Sequence, residues 1–206
     1  MTAPTASGVP WKRWLALLAL VVVLTVAFVN LAQWQFRRLD ERRGTNATVV
    51  AHEDAPVLPY EKVFDHPVVD ADAWQRVTVT GTFDAAHQLI VRYRNNGDSA
   101  GYEVVVPLRA TDGRVVLIDR GFVTRPAGQD FPTSVAAPPT GQVTVVGHVR
   151  RNEQGPDIAT TPVSGSLRLI NSDAIGAASG LSLVNGYIGA LEMTPAQQGF
   201  TPIATP

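Results

Sequence analysis

The chain contains no cysteine, which excludes disulfides, thiolate metal sites and a cysteine nucleophile in any redox compartment. Lysine is nearly absent: only Lys12 and Lys62 stand among the 17 basic residues. Against 18 acidic residues these leave a formal net charge of -1. The basic excess of a nucleic-acid binder is missing, so no nucleic-acid partner is expected. Catalytic signatures are missing too. His52, His66, His87 and His148 form no pair at helical ligand spacing, the serines sit in no nucleophile elbow, and no phosphate-cradling glycine loop occurs. The residues therefore point to a protein that is not an enzyme, with no resident metal and no built-in cofactor.

What is present begins with a long apolar run. Between Trp14 and Phe36 there is no charged residue. A spanning helix needs ~20 largely apolar residues, whereas a signal peptide has an apolar centre of roughly 7–15 and a small-residue cleavage site. No such site follows, so residues 14–36 are expected to be a retained transmembrane helix in contact with membrane lipid, after an N-terminal tail over 1–13. Lys12 and Arg13 precede the span, while Arg37, Arg38, Arg42 and Arg43 follow it. A count of positive charge puts the C-terminal side in the cytoplasm, yet large domains translocate despite flanking charge. Charge alone leaves the topology open.

The exit from the run, "NLAQWQFRRLDERR" (30–43), supports two readings. Trp34 in an interfacial aromatic belt, followed by snorkelling arginines, accounts for Trp34, Arg37 and Arg38. It does not account for Asn30, which heads a helical stripe through Gln33, Trp34, Arg37 and Glu41. Polar groups at membrane depth usually face protein or cofactor.

Residues 37–73 read as a juxtamembrane helix end and a connector, with the connector proper over 44–73 and an extended, proline-fixed piece over 55–59. From 74 to 193 the period becomes two. In "WQRVTVTGTF" (74–83), Val77, Val79 and Phe83 share one face, and Arg76, Thr78, Thr80 and Thr82 the other. Further strands are expected over 87–94, 102–108, 114–119, 143–150 and 187–193, with Asp112-Gly113 as a hairpin turn. Ser172 is placed to cap a short helix. Residues 194–206 form a proline-punctuated tail, poorly ordered unless something holds it. The fold class expected is an N-terminal transmembrane α-helix plus a mainly β domain, an antiparallel sheet or small barrel of α+β type.

Within "LIDRGFV" (117–123), Leu117 and Asp119 face one way, Ile118 and Arg120 the other, and Gly121 permits a bulge or close backbone approach. Arg120 can offer its donor fork to a carboxylate, on a ligand or partner, or within the chain as a structural ion pair. Arg92 and Arg94 invite the same two readings.

Several blocks together resemble the SURF1 family. "LAQWQFRRLDER" is similar to the family's Leu-Gly-x-Trp-Gln exit motif through Trp34, Gln35 and Arg38, with Ala32 in place of glycine and Arg42 in place of lysine. "WQRVTVTGTFD" resembles Arg-Val-x-Val-x-Gly-x-Phe through Arg76, Val77, Val79, Gly81 and Phe83. "GYEVVVPL" resembles Gly-Tyr-x-Val-x-x-Pro-Leu, and "DGRVVLIDRGFV" the Asn-Arg-Gly-Trp block, with Asp119 for asparagine and Phe122 for tryptophan. "VTVVGHVRRNE" fits the strand that follows, and the match runs in order from 31 to about 153.

The resemblance implies an assembly factor for haem-copper cytochrome c oxidase in the respiratory chain. Such a chaperone assists delivery of haem a to the main oxidase subunit or stabilises the oxidase during biogenesis. The alternative is a structural accessory subunit that handles no haem. It also implies a cell-membrane location with the N-terminus cytoplasmic and the β domain on the outer face. Trp34, Gln35, Arg38 and Arg120 become the candidates for contact with the oxidase or, transiently, with haem a. The family's second membrane helix, with a histidine near its start and a Tyr-Ala-x-Gln-Trp signature, has no counterpart in these residues. The expectation is a chain cut short or a divergent single-span member, and the haem-ligand role of that histidine does not carry over.

Overall fold

The alternation in "RVTVTGTF" becomes strand β2 (Arg76–Phe83), which buries Val77, Val79, Gly81 and Phe83 and turns its threonines outward. The computed structural model describes residues 11–53 and 55–203, the side chains of 39–50 and 53 excepted. Two compact units divide between Asn46 and Ala47.

The first unit holds most of helix α1 (Trp11–Glu53). Over Trp11–Arg38 this helix is long and apolar enough to cross a membrane, and none of its apolar window is buried within the protein. The sequence suggests a connector from residue 44, but the helix continues to Glu53. Residues 1–10 of the expected N-terminal tail lie outside the described residues, as does the Arg37–Glu41 pairing implied by the stripe.

The second unit is a small barrel. After β1 (Leu58–Pro59), the strands are β2, β3 (Leu89–Asn96), β4 (Ser99–Ala110), β5 (Val115–Thr124), β6 (Gln142–Arg150), β7 (Ser166–Leu167) and β8 (Leu183–Thr194), with short helices α2 (Asp157–Thr160) and α3 (Ser172–Ser179). The wall runs β2-β6-β8-β5-β4 and closes through a β2–β4 pairing of Gly81 to Phe83 with Leu108 to Ala110. Closure needs Gly81: a Cβ there would sit 2.3 Å from the Arg109 carbonyl oxygen. The stretch 187–193, expected to complete the sheet, is an interior strand, antiparallel to β6 and parallel to β5.

Two apolar clusters lie on the two faces of this wall. The interior holds Val77, Val79, Leu108, Ile118, Val145 and Ile188 among others. The expected connector contributes Tyr60, Val63, Phe64 and Val68 to that interior, so it is a plug and not a tether. The Tyr60 hydroxyl donates to Asp112 Oδ1 at 2.6 Å, and burial with that bond raises its pKa. Outside the wall, Val91, Val105, Leu117 and Tyr187 pack under Ile170 and Ile175. Helix α3 is capped by Asn171, whose side chain accepts from the Ala174 N–H at 3.0 Å. The expected cap, Ser172, is fully buried and uses its hydroxyl to accept from the Gly186 N–H.

Candidate functional site

Three places collect the residues that sequence marks for function. The first is the helix exit. Trp34 and Arg38 are four apart, so one helical face carries both, and the guanidinium carbon lies 5.5 Å from the indole centroid. Both, with Gln35, are exposed. Asn30 donates its amide to the Val26 carbonyl at 2.8 Å, as Thr25 donates its hydroxyl to Val21. The helix itself takes up that polar group, which is how isolated polar residues are tolerated in an apolar span.

The second is Arg120, only 2% exposed on the interior face of β5. Among the described residues its fork makes no ion pair, so the structural pair expected as one of two readings does not form. Nε donates to Gln197 Oε1 at 3.0 Å, and Nη1 donates to Gln88 Oε1 and the Ala136 carbonyl, both at 2.7 Å. Phe200 stacks over the guanidinium at 4.2 Å. Burial draws its pKa down to about 10, which leaves it charged at neutral pH. A half-open cavity of about 370 Å³ lies beside it, with Glu192, Gln197 and Phe200 in its wall.

This hub also supplies what the tail needs. Gln197 donates to the Arg120 carbonyl, and Thr201 pairs with Phe122 in both directions at 2.8 and 2.9 Å. Gly121 makes that approach possible. Its φ is +119°, and a Cβ would come within 2.7 Å of the Thr201 carbonyl oxygen. The tail is held over 195–203; residues 204–206 lie outside the described residues.

The third place brings together Asp119 and Arg94, both singled out in sequence, with acidic partners that were not. On the outer face of the same strand, Asp119 is 2% exposed and joins Glu103, Glu153, Arg94, Arg150 and Tyr187 around a half-open cavity of about 350 Å³. Arg94 is the structural ion pair anticipated for it, donating to Glu103 at 2.7 Å and Glu153 at 2.6 Å. Desolvation opposes its charge, but the two carboxylates hold its pKa above the usual value. Arg92 takes a different course and lies 5.7 Å from the Phe131 ring. Burial, with the nearby Glu103 charge, pushes the Asp119 carboxyl up to about 8. Burial raises Glu103 as well, against the pull of Arg94. Asp119 Oδ1 accepts from the Gly121 N–H at 3.0 Å. The raised pKa favours the neutral acid, which can donate from its other oxygen.

The fold and these places define a class: a small closed barrel behind one helix long and apolar enough to cross a membrane. Comparison with known proteins then gives the family. The profile of the SURF1 family matches residues 22–205. Uncharacterized SURF1-like proteins of Mycobacterium bovis and Mycobacterium tuberculosis are each 29% identical over 193 residues, covering 90% of this chain and 70% of theirs. The chain belongs to the SURF1 family.

Proposed function

We propose that this protein is a membrane-anchored assembly factor for haem-copper cytochrome c oxidase. It assists delivery or insertion of haem a, or stabilises the oxidase while it is built, and it performs no catalysis. The observation that carries this reading is the family match over 22–205, which takes in the helix from residue 22 onward, its exit and the whole barrel. In this reading α1 spans the cell membrane with the N-terminus cytoplasmic and the barrel outside. Trp34, Gln35 and Arg38 meet the oxidase subunits, the haem-bearing main subunit first, at the membrane surface. Their exposure and shared helix supply a surface for such a contact.

Arg120 takes a supporting part, because its fork is already filled by oxygens of its own chain. It fixes the barrel mouth and the tail beside it. Haem a contact is transient in this proposal, with no resident cofactor. The test is deletion of the gene, followed by measurement of oxidase abundance and of haem a per remaining oxidase. Loss of both supports the proposal. A scarce oxidase with full haem loading favours the accessory-subunit role instead.

A further inference from the structure

The cavity on the outer face of β5 holds two arginines in unlike surroundings. Arg94 is consumed by Glu103 and Glu153. Arg150, on the opposite wall, makes no ion pair and no hydrogen bond among the described residues. Its guanidinium carbon lies over aromatic rings instead, 4.1 Å from the Trp74 centroid and 6.0 Å from that of Tyr187. Stacking of this kind fixes the plane of the fork and leaves its N–H edge free for a planar anion.

A second group points the same way. Tyr187 is 2% exposed and lines the cavity, and its hydroxyl has no hydrogen-bond partner among the described residues. The hydroxyl oxygen is itself open to the cavity, where a ligand can reach it. Tyr187 and Arg150 are direct partners across β8 and β6, and Gly189, the partner of Asp119, places no side chain between them. Asp119, Tyr187 and Arg150 thus stand on three neighbouring strands around one space.

Backbone strain lies around the same space. Trp74, under Arg150, has φ 71°, and Tyr93, on the rim, has φ 62°. Residues other than glycine rarely adopt such values, and they persist where the surroundings over-determine them.

We propose that this cavity binds the carboxylate of a small molecule, gripped by the Arg150 fork and by the Tyr187 hydroxyl, with Asp119 donating from its acid form. The charges facing the space balance without the ligand: Arg94 and Arg150 on β3 and β6, Glu103 on β4 and Glu153 after β6. The Tyr187 pKa is raised by burial, so the hydroxyl stays a donor. Binding therefore persists at neutral pH and weakens as Asp119 ionises above about 8.

The site stands on geometry and does not depend on the oxidase reading. The test uses the full chain in detergent micelles, labelled with nitrogen-15 at arginine. Sodium propionate is titrated against the Arg150 Nε–H resonance, which is assigned with Arg150→Lys. A saturable shift is expected, absent with methyl propionate and lost in Arg150→Gln. Tyr187→Phe should weaken binding by about tenfold, as for a lost hydrogen bond to a charged group. Asp119→Asn should keep the binding and remove its loss at high pH, with the Arg94 resonance unmoved as a sign of intact folding.

A porphyrin bearing free propionates that displaces propionate, while its dimethyl ester does not, would assign the carboxylate to a tetrapyrrole. Propionate binding without such displacement would assign it to a small free acid. The absence of a saturable shift, or a shift that survives Arg150→Gln, would overturn the site and leave the oxidase deletion result untouched.

Discussion

Asp119 and Arg120 are adjacent on β5, equally buried, and answer the burial of charge in opposite ways. Arginine cannot shed its proton in a protein, so Arg120 recruits oxygens: two glutamine amides and a backbone carbonyl, from segments far apart in the chain. A carboxyl can take a proton up, and Asp119, beside Glu103, does so. One strand thus carries a permanent charge that organises loops on its inner face and a switchable one on its outer face. Neutral oxygens suffice to bury a diffuse cation, whereas a compact anion among other anions is cheaper to neutralise.

The comparison can be broken at four points. Arg94→Met should have the largest effect, because it leaves the buried Glu103 and the half-buried Glu153 without their counter-charge. A loss of about 3–5 kcal/mol is expected in chemical denaturation. A much smaller loss would mean that the outer face tolerates charge as well as the inner one does.

Arg120→Met comes next, at about 3 kcal/mol from the oxygens left unpaired. Hydrogen exchange should rise over 195–203, and Arg120→Lys should not restore protection, because a point charge cannot serve oxygens spread around a planar fork. Protection retained in both variants would show that the Phe122–Thr201 pairing alone holds the tail.

Asp119→Asn should stabilise. The folded pKa of about 8 lies above the unfolded value near 3.8. As pH rises between these values the unfolded chain releases the proton while the folded chain keeps it, so wild-type stability falls through that window. Asparagine does not titrate. The variant's lead over wild type should widen steadily as pH rises from 4 to 8 and vanish near pH 4. Thermal melts across that range decide it, and a constant offset would show that Asp119 keeps its charge.

Arg38→Ala should be smallest in stability, within about 0.5 kcal/mol as for an exposed position. In a complementation assay it should nonetheless lower oxidase abundance. Full complementation would remove Arg38 from the proposed contact with the oxidase.

Much of the architecture was legible because it is local. Period-two alternation placed β2, β4, β5 and β6, and Asp112-Gly113 marked the β4–β5 hairpin. The apolar helix was legible from its length, although Gly44, Thr45 and Asn46 are weak helix formers and nothing nearby shows that the helix survives them. The opposite facing of Asp119 and Arg120 followed from strand geometry. Their partners did not. Glu153 meets Arg94 across 59 positions, and Gln197 meets Arg120 across 77. "RRNE" (150–153) carried the signal that was missed: an arginine and an acid just past a strand end, where side chains can turn back over a sheet. Ser172 misled because Asn171 beside it is equally competent to cap, and the choice turns on the distant Gly186 N–H.

The position of β8 has a consequence for synthesis. It is made after β5 and β6, yet it stands between them, and they share no hydrogen bonds of their own in the ladder. Until Leu183–Thr194 has emerged, β5 and β6 each present an open edge and the interior valines face water. Closure of the barrel must wait for β8, and it joins strands far apart in sequence, which is slow. A keystone made after both of its neighbours leaves an interval in which the barrel is unsealed, and in that interval a chaperone that shields open strand edges would have most to do.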